Sequence, residues 1–161
     1  MQSHDEGEPS TTNLTLLHYP VNTPPSHSGL VKHTDVGTLT LLFGDSQWGL
    51  QVLMPDTLQW SFIEPRPELG LVNIGDSLRF LSKNQFKSCL HRVQPRRSAV
   101  RSRISIAYFL RPRNGTLLTA PDGRRVPIET WNIEKFAILE ETHKKQDKGK
   151  IATGGMITVQ V

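Results

Sequence analysis

The tripeptide His33-Thr34-Asp35 places an imidazole and a carboxylate two positions apart. In an extended chain, residues i and i+2 project from one face, so both side chains can reach a single metal ion. His91 offers a third donor, 56 positions after Asp35, inside the β-like stretch Phe86 to Val93. Two imidazoles and one carboxylate on one face of an ion leave coordination positions open. That arrangement suits Fe(II), which must take up a co-substrate and O₂. Zinc prefers four tetrahedral ligands and suits a closed site richer in His or Cys. Taken alone, His-x-Asp is common by chance and reads as a surface polar cluster.

Further residues fall where the same chemistry needs them. Arg103-Ile104-Ser105 begins 12 positions after His91 and puts a guanidinium and a hydroxyl on one strand face. Such a pair suits a carboxylate ligand, the Arg as a bidentate fork and the Ser as an added donor. Tyr19, 14 positions before His33, can contribute a phenolic donor to the same group. The plainer readings are a barrel-edge charge for Arg103 and a core aromatic for Tyr19.

These residues need a scaffold, and the rest of the sequence describes one. A chain of 161 residues with 36% hydrophobic content fits one domain with its own core. No apolar run approaches the ~20 residues that span a bilayer, and the polar start Met1 to Asn13 is unlike a signal peptide. The single cysteine, Cys89, cannot form an intrachain disulfide, so a reducing, cytoplasmic setting is expected. In that setting the sequons at Asn13 and Asn114 read as chance. The net charge of +4 comes mostly from Arg92, Arg96, Arg97, Arg101 and Arg103, a segment without a recognised nucleic-acid motif. No nucleic-acid or membrane partner is therefore expected.

Short β segments are predicted at Leu14–Tyr19, Thr38–Phe43, Leu50–Met54, Gln59–Ile63, Leu71–Ile74, Phe86–Val93 and Arg103–Leu110, separated by Gly, Pro, Asn and Asp. Pro55-Asp56 marks a hairpin, and Gly75-Asp76 reads as a turn. Many short strands about ten residues apart indicate a sandwich or barrel. Ile128 to Lys148 reads as an amphipathic helix, basic in its last turn. Residues 1–13 read as a disordered leader, 14–112 as the β domain, and 113–161 as a C-terminal loop, helix and tail. Cys89 shares strand parity with His91 and reads as a small hydrophobe facing inward. Trp48, Trp60 and Trp131 read as packing residues. His4, His18, His27 and His143 lack partners at ligand spacing, and His18 should point away from the face that Tyr19 occupies. Asp45, Asp56 and Asp76 read as turn formers.

The ligand residues, together with Leu39-Thr40-Leu41-Leu42, Gly49-Leu50-Gln51-Val52, Val72-Asn73-Ile74-Gly75-Asp76, Lys87-Ser88-Cys89-Leu90-His91-Arg92 and Arg103-Ile104-Ser105-Ile106-Ala107, resemble the 2-oxoglutarate-dependent dioxygenases of the isopenicillin N synthase-like group. The order and spacing agree from Tyr19 to Pro112. Trp131 to Phe136, His143 and Thr153-Gly154-Gly155-Met156 are similar to the C-terminal region of fungal members. The resemblance implies a mainly β fold, a double-stranded β-helix or jelly-roll with a C-terminal α-helix. It implies that His33, Asp35 and His91 bind Fe(II), and that Tyr19, Arg103 and Ser105 hold the distal carboxylate of 2-oxoglutarate as co-substrate. On the same resemblance, O₂ would take the remaining site. Oxidative decarboxylation to succinate and CO₂ then drives hydroxylation, desaturation or ring closure of a small organic molecule, in secondary metabolism on the fungal likeness.

The chain departs from the group in three places. Leu17 stands where members carry an Asn two positions before the Tyr. The stretch from His91 to Arg103 is longer, through Pro95-Arg96-Arg97-Ser98. The long region that precedes Tyr19 in the group is nearly absent, which is expected to leave apolar sheet surface exposed. Two alternatives stay open: a related iron oxidase that does not use 2-oxoglutarate, and a truncated metal- or ligand-binding remnant without catalysis.

Overall fold

The structure is a computed structural model that describes residues 3–21, 29–47, 49–94, 101–139 and 153–156. Its strands are β1 (Asn13–Tyr19), β2 (Leu30–His33), β3 (Leu39–Gly44), β4 (Leu50–Leu53), β5 (Trp60–Phe62), β6 (Leu71–Ile74), β7 (His91–Val93), β8 (Arg103–Leu110), β9 (Leu117–Thr119) and β10 (Arg125–Pro127). Helix α1 (Asp76–Leu81) follows β6, and α2 (Ile128–Leu139) follows β10. The strands build two four-stranded antiparallel sheets, ordered β1-β8-β3-β6 and β2-β7-β4-β5, plus the β9-β10 hairpin. This is the mainly β jelly-roll with a C-terminal helix that the sequence predicts.

The alternation of β8 sets what faces inward. Arg103, Ser105 and Ala107 are buried, whereas Ile104 and Ile106 are exposed. Register carries the pattern across the sheet, with Leu16 opposite Ile106 and Ile106 opposite Phe43. Leu14, Leu16, Phe43, Val72 and Ile104 therefore form an exposed apolar outer face. The inner face of this sheet and that of the second enclose polar side chains and the cavity described below.

The dry core lies elsewhere. Val36, Leu118, Ala120, Val126, Ile128 and Trp131 form the main buried cluster, with Phe80 and Leu81 packed against it. The Phe80 ring meets the Trp131 indole edge-on, centroids 5.3 Å apart. Hairpin β9-β10 and both helices thus supply much of the apolar burial. Trp131 is a packing residue, as read, and Trp60 carries the guanidinium of Arg92 4.2 Å above its ring.

Several expectations need correction. Gly75-Asp76 opens α1 instead of a turn, with Gly75 at the N-cap and Asp76 in the first turn. Six residues are too few to show helical periodicity. Asp76 is no solvated turn former; it is fully buried and ion-paired to Lys135. The predicted strand Phe86–Val93 shortens to β7, because residues 86–90 run without ladder pairing. Before them, Lys83 and Asn84 adopt positive φ of 52° and 64°. Strands β2, β9 and β10 were not predicted; at three or four residues each, they fall below what alternation can show. Residues 3–12, read as disordered, lie against the first sheet. Ser10 bridges Arg113, Asp5 pairs with Arg113 at 3.0 Å, and His4 Nε2 meets Thr38 Oγ1 at 2.9 Å. The readings of Trp48, His27, Pro95–Ser98, His143 and the helix beyond Leu139 fall outside the described residues. Among those described, no helix is long and apolar enough to cross a membrane.

Candidate metal centre and co-substrate pocket

Strand pairing brings the two histidines together. His33 ends β2 and stands opposite His91, the first residue of β7. Their ring centroids are 4.3 Å apart. Asp35 follows two residues after His33, just beyond the strand. Its Oδ1 lies 3.7 Å from each Nε2. One ligand atom from each residue falls within 4.8 Å of the others, so a single ion can be shared.

The outer hydrogen bonds orient each donor toward that point. His33 Nδ1 lies 2.7 Å from the Val31 carbonyl, and His91 Nδ1 lies 3.0 Å from the Cys89 carbonyl. A carbonyl only accepts, so each Nδ1 carries a proton and each Nε2 is the nitrogen turned toward Asp35. Asp35 Oδ2 accepts from Thr40 Oγ1 at 2.6 Å and from Asn73 Nδ2 at 2.8 Å, leaving Oδ1 toward the histidines. Burial, reinforced by the neighbouring His91, pushes the His33 pKa down to about 3. Burial alone would raise that of Asp35, but His91, His33 and the bonds from Thr40 and Asn73 outweigh it and hold it at about 2. A neutral His33 imidazole and an ionised Asp35 carboxylate are the forms in which these two groups bind a metal.

Loop geometry holds this turn from behind. The amides of Gly75, Asp76 and Ser77 donate to the carbonyls of Thr38, Asp35 and Val36 at 3.0, 2.7 and 3.1 Å. A Cβ on Gly75 would sit 2.2 Å from the Gly37 carbonyl oxygen, so the approach requires glycine.

The second group predicted from sequence also converges. Tyr19 lies directly opposite Arg103 in the β1–β8 register. The Arg103 guanidinium sits 5.0 Å from the Tyr19 ring centroid and donates to Ser105 Oγ at 3.4 Å. Arg103 and Ser105 are 7% and 2% exposed, yet no carboxylate among the described residues pairs with Arg103. A buried cation without an anion is costly, which suits a site that receives one. Burial raises the Tyr19 pKa against the opposing pull of Arg103, so its hydroxyl stays protonated and can donate.

Both groups line one cavity of about 60 Å³ between the sheets, with Leu30, Leu42, Leu50, Leu71 and Phe109 as its apolar wall. Cys89 lines it too, as its parity suggests, and burial raises its thiol pKa. His18 is exposed on the opposite face. Thr40 and Asn73 were not singled out as site residues in the sequence, although a polar Asn inside the apolar strand Leu71-Val72-Asn73-Ile74 is a readable signal.

Comparison with known proteins agrees with this geometry. The profile of the 2OG-Fe(II) oxygenase superfamily matches residues 11–112. A 2-oxoglutarate-dependent dioxygenase, iboH of Amanita muscaria, is 51% identical over 96% of this chain and 76% of its own length. The oxidoreductase vrtI of Penicillium aethiopicum is 48% identical over 95% of this chain but only 37% of its own length. Among solved structures, a full-length Neurospora crassa protein in complex with alpha-KG superposes with a TM-score of 0.62 at 31% identity, covering 77% of this chain and 44% of that one. The chain thus spans less than half the length of two of these three relatives. With the profile matching well over half the chain and a relative identical at every second residue, this polypeptide belongs to the 2OG-Fe(II) oxygenase superfamily, whose members use Fe(II), 2-oxoglutarate and O₂.

Proposed function

We propose that His33, Asp35 and His91 hold Fe(II), that Tyr19, Arg103 and Ser105 hold the distal carboxylate of 2-oxoglutarate, and that the chain carries the oxidising centre of an enzyme acting on a small organic molecule. The single observation that carries this reading is the Oδ1 of Asp35, 3.7 Å from the Nε2 atoms of both His33 and His91. The donor set fits the metal: two imidazoles and one carboxylate suit Fe(II) with positions left open. One carboxylate against a dication leaves net positive charge, which favours an anionic chelating ligand.

When bound, the iron and its co-substrate supply the oxidation of a substrate C–H bond. The residues do the rest. Arg103 and Ser105 donate to a carboxylate, fixing the far end of the co-substrate. Tyr19 adds its hydroxyl and stacks on the Arg103 fork. The leucines of the cavity wall exclude water from the reacting centre. Similarity to fungal dioxygenases supports a secondary metabolite as substrate. A cytosolic setting goes with a chain whose only cysteine has no disulfide partner within it.

The test is an anaerobic titration with Fe(II) and then 2-oxoglutarate, read by the weak visible charge-transfer absorption of the ternary complex. The absorption should appear in the wild type, vanish in His91→Ala and weaken in Arg103→Ala. Succinate release that depends on His91 would extend the result to turnover. A folded, iron-loaded wild type without the absorption would overturn the co-substrate reading, and a folded wild type that takes up no Fe(II) would overturn the metal reading.

A further inference from the structure

Thr34, the residue between the two ligands of the His-x-Asp turn, is fully buried and does not face the metal cavity. It points into a polar knot on the other side. Its Oγ1 donates to Asp76 Oδ2 at 3.0 Å and accepts from Lys135 Nζ at 2.6 Å. Lys135 Nζ also donates to Asp76 Oδ2 at 2.5 Å. Both Lys135 and Asp76 are fully buried. On its far side, Asp76 meets Arg79, 3.5 Å from its Oδ1, and Arg79 Nη2 donates to the Gly154 carbonyl. The Asp76 amide meanwhile donates to the Asp35 carbonyl at 2.7 Å. Asp76 thus grips the ligand turn twice, by its backbone at Asp35 and by its side chain at Thr34.

We propose that Lys135, in α2, is a positioning residue for the metal site: through Thr34 and Asp76 it fixes the turn that aims His33 and Asp35 at one point. Lys135 lies outside residues 11–112 that match the superfamily profile, so the inference assigns a part of the site to the C-terminal helix. It rests on the iron-site reading. A lysine here is poorly explained by stability alone, because a well-packed apolar replacement of a buried ion pair is often neutral or better. Its ammonium group bridges two elements that a methylene chain could not tie. Two hydrogen bonds, one to Asp76 and one from Lys135, fix the Thr34 hydroxyl, and the flanking residues share its backbone.

The test uses the whole chain, anaerobic and metal-free at the start. Fe(II) affinity is measured by chelator competition, and amide exchange of Gly75, Asp76 and Ser77 is followed in the apo protein. Lys135→Met keeps the volume and removes the donor. Thr34→Val removes only the hydroxyl and leaves the Lys135–Asp76 pair intact, so it decides the matter should Lys135→Met not fold. Leu118→Ala loosens the core without touching Thr34. Fe(II) affinity should fall by about 10-fold in Lys135→Met and Thr34→Val, the low end of the loss seen when a group bonded directly to a ligand is removed, because both act through the backbone of the turn. The three reporter amides should exchange faster in the same two variants. Leu118→Ala should bind Fe(II) like the wild type. Wild-type affinity in both Lys135→Met and Thr34→Val would overturn the positioning role alone. An equal loss in Leu118→Ala would do the same, reducing the effect to general loosening. A wild type that binds no Fe(II) would overturn this inference together with the iron-site reading.

Discussion

Arg103→Met should make the apo protein no less stable while it disables co-substrate binding. Arg103 is 7% exposed and faces no carboxylate among the described residues. Holding a desolvated cation without a counter-ion costs several kcal/mol in proteins after relaxation, on the order of 3 kcal/mol. Against this stand the stacking on Tyr19 at 5.0 Å, worth about 1–2 kcal/mol when desolvated, and a long 3.4 Å bond to Ser105 that adds little. Methionine fills the volume of the arginine stem, which passes 3.2 Å from where a Cβ on Gly49 would sit. The balance lies between roughly zero and 2 kcal/mol in favour of the variant, a rise in Tm of up to about 8 °C for a chain of this length. Binding moves the other way. Two charge-assisted hydrogen bonds at about 1.5–3 kcal/mol each are lost, so the 2-oxoglutarate Kd should rise by about 10²–10⁴-fold. Thermal melts of the apo protein and anaerobic 2-oxoglutarate titrations of the iron form read the two effects separately. A variant destabilised by more than about 1 kcal/mol would show that Arg103 is a structural cation with a partner in the fold. Unchanged 2-oxoglutarate affinity would refute the carboxylate role outright.

Asn73→Leu combined with Thr40→Val strips both donors from Asp35 Oδ2. Fe(II) affinity should then fall by at least about 10-fold, and a wild-type value in chelator competition would mean that the carboxylate needs no such clamp. The apo protein should lose stability as pH falls below the ordinary histidine value. His33 has a folded pKa of about 3 against 6.5, so between those values the unfolded chain binds a proton the folded one does not. Urea unfolding across that window should show a fall of up to about 1.4 kcal/mol per pH unit. Asp35, depressed from 3.8 to about 2, steepens the fall below its ordinary value in the same direction. His33→Asn should flatten the upper part of the profile, and an unchanged slope would show that another group titrates there. Trp131→Ala, at a site 2% exposed, should cost about 3–5 kcal/mol in urea unfolding. A loss below about 1 kcal/mol would mean that the C-terminal cluster is not the main core.

The candidate site was legible because its residues obey strand arithmetic. His33 and Asp35 are two apart, Arg103 and Ser105 are two apart, and each pair faces one cavity. Tyr19 was harder to place, since its partnership with Arg103 depends on the β1–β8 register, which no local pattern encodes. Thr40, Asn73, Asp76 and Lys135 were missed as site residues for the same reason. Each acts across a contact between separate elements, such as the 59 positions from Asp76 to Lys135. Gly75-Asp76 was misread because a glycine followed by an acidic residue signals a turn and a helix start equally well. Only the short run after it, Ser77 to Leu81, decides between them.

The division of labour between the sheets and the C-terminal segment follows from the same geometry. A jelly-roll whose interior holds His33, Asp35, His91, Arg103 and Ser105 has given its inner face to polar groups and a cavity. Such an interior contributes little apolar burial and carries the desolvation of several ionisable groups. The missing burial has to be found outside the barrel. Val36, one residue beyond Asp35, joins the turn to the cluster of Leu118, Val126, Ile128 and Trp131. The segment that anchors the fold is thus the one that reaches Thr34 through Lys135. Stability and ligand geometry use neighbouring but separate contacts, so substitution of Lys135 should alter metal affinity out of proportion to its distance from the metal, whereas loss of cluster volume should not. Substitutions on the exposed outer strand face, such as Leu16→Ser, should leave it unchanged.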